Sequence, residues 1–153
     1  MTGARLIGLI SDTHGLLRPE ALAALRGSDL IIHAGDIGAP DILDQLRATA
    51  PLVAVRGNID TAGWASKLPL TAEVQAPPAR IFVLHDLMEL DRERAAGFNI
   101  IVSGHSHKPG HSERDGVLYV NPGSAGPRRF RLPITVARID VKHLPWQVDF
   151  IEL

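Results

Sequence analysis

Short apolar runs of strand length, each breaking off at a residue able to bind a metal or carry a proton, are the feature that most constrains this chain. "RLIGLI" stops at Ser11 and Asp12, with His14 close behind, and "LII" runs through His33 to Gly35-Asp36. "LVAV" precedes Gly57-Asn58 and Asp60, "RIFVL" ends at His85-Asp86, and "NIIVS" ends at Gly104, His105 and His107. Uninterrupted Val, Ile and Leu runs suit strands buried on both faces. Between the first three lie "PEALAALRG" and "PDILDQLRA". Each has a proline at a helix start followed by good helix formers, and the first closes with a glycine at C′. Strand, helix, strand, helix, strand implies right-handed crossovers and a parallel sheet, so the first half reads as α/β.

The second half has another rhythm. "TAEVQAPPARIFVLHD" reads as two strands joined at Pro77-Pro78, "MELDRERAAGF" as a charged surface helix over 88–98, and "NIIVSGH" as a further buried strand. The polar "HSERDG" leads on to "VLYVNPGSAG", and "LPITVARIDV" and "LPWQVDFIEL" alternate as a terminal antiparallel hairpin does. Pro-Gly clusters fall at loop spacing, with no repeat or linker, which predicts one compact domain over 1–153. A mixed sheet, or two sheets packed together with helices outside, is the expected architecture.

Composition narrows the chemistry. With no cysteine among 153 residues, disulfides, thiolate zinc, iron–sulfur clusters and a cysteine nucleophile are excluded, and any metal must take nitrogen and oxygen ligands. A net charge of -1 carries no specific nucleic-acid signal. The first ten residues, "MTGARLIGLI", hold an apolar run too short for a signal or membrane segment, so a cytoplasmic protein without a membrane partner is expected.

The carboxyl ends of strands in open α/β sheets form the crevice where ligands bind. Asp12, His14, Asp36, Asn58, His85, His105 and His107 all sit at such ends. Together they offer donors enough for two divalent ions roughly 3.5–4 Å apart. His105 and His107, at i and i+2, are expected to point to one side of an extended segment, with Gly104 allowing close backbone approach. His33 is expected to pack or hydrogen-bond beneath the site. Asp60 is read either as a group orienting Asn58 or a metal ligand from behind or as a turn residue in "NIDT". Arg128 and Arg129 either bind a phosphate or form a solvated edge. His111 and His143 read as solvated loop residues, Trp64 and Trp146 as anchors.

In order, Asp12-Thr13-His14, Gly35-Asp36, Gly57-Asn58, His85 and Gly104-His105-Ser106-His107 resemble the motifs of the calcineurin-like metallophosphoesterases. The likeness is to the small bacterial and archaeal phosphodiesterase branch, and "NPGS" at 121–124 resembles a further segment of it. The resemblance implies a four-layer α-β-β-α sandwich with mixed sheets and a dinuclear centre. By motif, Asp12, His14 and His107 would hold one metal, Asn58, His85 and His105 the other, and Asp36 would bridge. Asp36, Asn58, His105 and Asp60 are the residues expected to serve catalysis. The implied cofactors are two divalent transition-metal ions, manganese first among Mn, Ni, Fe, Zn and Co. The implied reaction is hydrolysis of a small phosphodiester by a metal-bridging hydroxide.

Two positions depart from the pattern. Ile59 stands where much of the superfamily has a proton-donating His, and the small branch shares that loss. Asp86 and Leu87 stand where many relatives have Gly and His, making the wall beside His85 more negative. The alternatives are a phosphomonoesterase, and a scaffold like the retromer small subunit, whose metal site is degenerate. All seven ligand positions are filled here, which favours the enzyme. Self-association through the C-terminal strands is a further expectation.

Overall fold

A computed structural model describes residues 3–153. Met1 and Thr2, the first residues of the expected 1–153 domain, lie outside the described residues. The first apolar runs form β1 (Leu6–Ile10), β2 (Leu30–His33) and β3 (Leu52–Ala54), separated by α1 (Pro19–Leu25) and α2 (Pro40–Thr49). Both helices begin with proline, whose fixed φ and missing N–H fit the first helical turn. The second half gives β4 (Thr71–Ala76), β5 (Ala79–Leu84), a one-turn helix α3 (Arg92–Ala95), β6 (Ile100–Val102), β7 (Gly110–Arg114), β8 (Val117–Asn121), β9 (Thr135–Asp140) and β10 (Val148–Glu152).

The strands make two five-stranded mixed sheets, ordered β10-β9-β1-β2-β3 and β4-β5-β6-β8-β7. In the first, β1, β2 and β3 are parallel and β9 and β10 antiparallel. In the second, β5, β6 and β8 are parallel, with β4 and β7 antiparallel at the edges. Period-two alternation divides each apolar run between two interiors. Ile7, Leu9, Leu30 and Ile32 meet Ile81, Val83, Ile100 and Val120 between the sheets. Ile10 and Ile31 turn the other way, onto Leu25, Ile42 and Leu46 of the helices. Phe82 and Leu84 face outward with Ala95 and Phe98. The layers are therefore helix, sheet, sheet and a thin outer helical layer, the four-layer α-β-β-α sandwich. No helix among the described residues is long and apolar enough to cross a membrane.

Two elements differ from expectation. The helix expected over 88–98 shrinks to a 3₁₀ turn at Leu87–Glu89 and the single turn of α3. Asp86 accepts the Met88 amide, and Asp91 accepts those of Glu93 and Arg94, so each starts its own short turn, and extended Leu90 separates them. Meanwhile β7 grows from the polar connection. Its side chains are all exposed, and backbone pairing with β8 holds it across a turn whose central residues, Asp115 and Gly116, both have positive φ. His111, expected in a loop, therefore lies in this strand, its ring stacked on Phe150, and Arg114 lies over Tyr119.

Candidate metal centre

Asp12 and His14 follow β1, Asp36 follows β2, Asn58 follows β3, His85 follows β5, and His105 and His107 follow β6, so both sheets deliver residues to one end. The loops after β1 and β2 are laced by backbone bonds from Asp12 N to Gly35 O (3.0 Å), His14 N to Asp36 O (2.9 Å) and Gly15 N to Ile37 O (2.8 Å). Five of the seven candidate ligands, Asp12, His14, Asp36, His105 and His107, have φ between 47° and 68°. Asp and His enter this left-handed region more readily than most residues, yet each such residue costs about 1–3 kcal/mol. That strain is held where the side chains must turn inward. It also corrects the expected extended path through His105 and His107: the strand ends at Val102, and the segment bends instead.

Each carboxylate has one oxygen fixed and one left free. Asp12 Oδ2 accepts the Ser11 hydroxyl at 2.6 Å and the His105 amide at 3.1 Å. Its Oδ1 lies 3.6 Å from His14 Nε2, 3.4 Å from His107 Nε2 and 4.0 Å from His85 Nε2. Asp36 Oδ1 accepts the Ile59 amide at 3.1 Å, while Oδ2 lies 3.5 Å from His14 Nε2 and 3.3 Å from His85 Nε2. Gly104 permits this closeness, because a Cβ there would strike Asp12 Oδ2 at 2.6 Å as well as the Ser11 hydroxyl.

His85 carries a further constraint. Its Nδ1–H donates to Ala34 O at 2.8 Å, so in the neutral ring Nε2 presents a lone pair toward two carboxylate oxygens. Such an arrangement repels unless a proton or a cation lies between. Burial depresses His85, but the Asp36 and Asp12 carboxylates and the Ala34 carbonyl raise its pKa above the ordinary histidine value. Burial likewise opposes ionisation of Asp12 and Asp36. His14, Ser11, His85 and His107 outweigh it at Asp12, and His85, the Ile59 amide and His14 bring Asp36 to about 2. His107 is lowered, chiefly by burial; Asp12 counteracts this, while Arg129 and His14 add to it.

Asp12 Oδ1, His14 Nε2 and His85 Nε2 are buried without hydrogen-bond partners. Unpartnered buried polar atoms are costly, and their convergence is the pattern a cation satisfies. Two groups could hold one: Asp12, His14 and His107, and Asp12, Asp36 and His85. Asp12 is thus common to both, where the motif resemblance assigns the bridge to Asp36. His105 stands outside both groups, its ring 5.2 Å from that of His85 and its Nε2 3.8 Å from Asp86 Oδ2. Asn58 is exposed in the turn after Gly57. A cavity of about 390 Å³ opens beside His105, lined by Asp86, Met88, Lys108, His111 and Tyr119 among others.

Asp60, grouped with the catalytic residues by sequence, is only 2% exposed and takes the amides of Ile37, Gly38 and Gly57 at 2.9–3.1 Å. It clamps the Asp36 loop to the Asn58 loop and is a positioning residue. His33 lies beneath the site: Gly35 N–H donates to Nδ1 at 3.0 Å, and Nε2–H then reaches Thr13 Oγ1 at 3.0 Å, whose hydroxyl donates to Ile37 O. Full burial holds its pKa down near 4. Three further supports stand behind the ligands, two of them in the "NPGS" segment. Ser11 orients Asp12, Ser124 donates to Asp12 O at 3.0 Å, and Asn121 donates to Gly104 O at 2.9 Å. Gly123 donates to Asn121, which gives "NPGS" a tying role.

Residues 6–144 match the family model for the calcineurin-like phosphoesterase superfamily domain. A curated protein of Methanothermobacter thermautotrophicus, named "probable metallophosphoesterase", is 35% identical over 159 aligned positions, covering 94% of this chain and 91% of that protein. Among solved structures, one described as a novel archaeal phosphodiesterase superposes with a TM-score of 0.79 at 21% identity, covering 95% of this chain and 99% of that one. Vps29 of Chaetomium thermophilum gives 0.79 at 22% identity, covering 98% and 97%. At those identities the two structures share the fold.

Proposed function

The chain belongs to the calcineurin-like phosphoesterase superfamily, and from that membership we infer a phosphodiesterase that works with two divalent transition-metal ions, manganese first among Mn, Ni, Fe, Zn and Co. The observation that carries this reading is the meeting of Asp12 Oδ1, His14 Nε2 and His85 Nε2, buried and without partners. All-nitrogen-and-oxygen donation with several imidazoles suits these metals better than calcium. Asp12, His14 and His107 would hold one ion, and His85, His105 and Asn58 the other, with Asp36 bridging. When bound, such a pair brings the pKa of water toward neutrality and offsets charge on phosphoryl oxygens.

The chain's own residues do the rest. Asp12 and Asp36 are held ionised, ready as anionic ligands, and the Ser11 hydroxyl and Ile59 amide fix which oxygen each presents. The Ala34 carbonyl fixes the His85 tautomer. In hydrolysis a P–O bond to the water oxygen forms, the ester P–O bond breaks, and the products are a phosphomonoester and an alcohol. Ile59 has no proton to give, and its side chain is 45% exposed, so the departing oxygen takes its proton from solvent.

The test uses metal-stripped protein resupplied with Mn, Ni, Zn or Mg singly and assayed on bis(p-nitrophenyl) phosphate and p-nitrophenyl phosphate. Metal-dependent diester cleavage that exceeds monoester cleavage and disappears in Asp36→Asn supports the reading. Two bound ions with no turnover on either ester would favour a protein scaffold of the same fold.

A further inference from the structure

The segment 127–132, "PRRFRL", is rooted directly at the candidate metal centre. Ala125 N donates to Ser11 O at 3.0 Å, and Gly126 sits so close to the Asp12 and Thr13 carbonyls that a Cβ has no room. Beyond that root the loop turns outward. Phe130 is 87% exposed, belongs to no apolar cluster among the described residues, and has φ 55. A bulky residue in the left-handed region is unusual; here it lies in the turn that the Leu132 N–H closes onto Arg129 O at 3.1 Å, which leaves its ring in solvent. Around it stand Arg128, Arg129 and Arg131, with Lys108 next to His107. None of these four forms an ion pair among the described residues. The whole chain carries a formal charge of -1, so this is a local concentration of unpaired cations.

Two of these cations, Lys108 and Arg131, line concavities. Lys108 lines the cavity beside His105 and also a second concavity formed with Phe130, Arg131 and Leu132. Lys108, the neighbour of His107, is thus common to both linings. A substrate with a single phosphate would be satisfied by the metal centre alone. Arg131 and the exposed Phe130 ring in the second concavity, with Lys108 shared between the two, fit a substrate with another phosphate and a planar group beside the first. Backbone-tracking cations and a stacking aromatic are the features by which proteins hold single-stranded nucleic acid.

We propose that the 127–131 loop and Lys108 bind a nucleotide unit flanking the scissile phosphodiester, with its base stacked on Phe130 and its phosphate held by Arg131 and Lys108. The substrate class is then a short single-stranded oligonucleotide. This deepens, and rests on, the phosphodiesterase reading above.

The test is binding without turnover: fluorescence anisotropy of a fluorescein-labelled octathymidylate titrated with metal-stripped protein in EDTA at several salt concentrations. Phe130→Ala is expected to weaken binding at least about five-fold while Phe130→Tyr retains it. Arg131→Gln is expected to lower the log–log salt slope by about 0.7. Arg47→Gln on α2 should bind as the native chain does, and circular dichroism confirms that each variant is folded. Absence of binding by the native chain, native affinity in Phe130→Ala, or duplex binding as tight as single-strand binding would overturn the proposal. Oligonucleotide binding with these dependences but no metal-restored turnover would sink the phosphodiesterase reading and leave the loop assignment standing. Diester cleavage without oligonucleotide binding would do the reverse.

Discussion

His33 shows how a residue can serve a site without facing it. It is fully buried, accepts from Gly35 and donates to Thr13, and so fixes the backbone on both sides of the Asp12 and Asp36 loops. Free in an unfolded chain it titrates near 6.5, whereas burial first, against the pull of Asp12, Asp60 and Asp36, holds it near 4 in the fold. Between those values the unfolded chain takes up a proton that the folded chain refuses. The stability it contributes is therefore complete above pH 6.5 and is lost progressively as pH falls toward 4. Between pH 7.5 and 5, urea unfolding in EDTA should show the native chain losing about 2 kcal/mol more than His33→Gln. Equal losses would contradict the buried neutral imidazole. Asp60 makes a second residue-scale case. Asp60→Asn leaves amides of Ile37, Gly38 and Gly57 facing a group that cannot accept from them all, and should cost about 2–4 kcal/mol by urea unfolding. A change below about 0.5 kcal/mol would show that the clamp is unimportant. That Asp12, His14, Asp36, His85 and His107 come together was legible from residue type and position after a strand. The free oxygens, the tautomer of His85 and the left-handed backbone were not, because they arise from bonds between loops far apart in sequence.

Among the elements, strands buried on both faces were the most readable, since β1, β2 and β6 have no polar residue to interrupt the run before its end and β5 has only Arg80, near its start. The failures have physical causes. At 88–98 two aspartates each capture nearby amides, so the stretch makes two short turns rather than one helix. In β7 the sequence is polar because every side chain is solvated, and its Asp115-Gly116 turn was the sole local sign of a hairpin. Helix α2 tests the layer model. Its Leu46 is fully buried against the first sheet, with Ile42 and Leu43 beside it. Leu46→Ala should cost about 2–5 kcal/mol in urea unfolding. Manganese stoichiometry should remain unchanged, because the ligands lie at the strand ends and not on the helix. A large loss of metal binding with little loss of stability would contradict that division.

At the scale of the whole molecule, two sheets are held face to face by their apolar interior, and their strand ends carry what that interior cannot accept: paired carboxylates and imidazoles. The four layers follow from the resemblance that the ordered motifs carry, whereas the residue pattern alone reaches a mixed sheet, or two packed sheets with helices outside. Substrate choice was less legible, since the proposal places it in the cavity beside His105 and on the loop at 127–131, whose residues are exposed and follow no period. The exposed Ile59 side chain predicts a rate that falls steeply from aryl to alkyl leaving groups, read from kcat/KM across a series of diesters. A flat dependence would mean that another group donates the proton.

On the proposed function, the buried, unpartnered donors form a two-ion hydrolytic centre. The most direct measurement is a manganese titration of metal-stripped protein in which bound metal and bis(p-nitrophenyl) phosphate turnover are followed in the same samples. Two equivalents per chain, with turnover appearing as the second binds, is the predicted result. Saturation at one equivalent, or two equivalents bound without turnover, would contradict it.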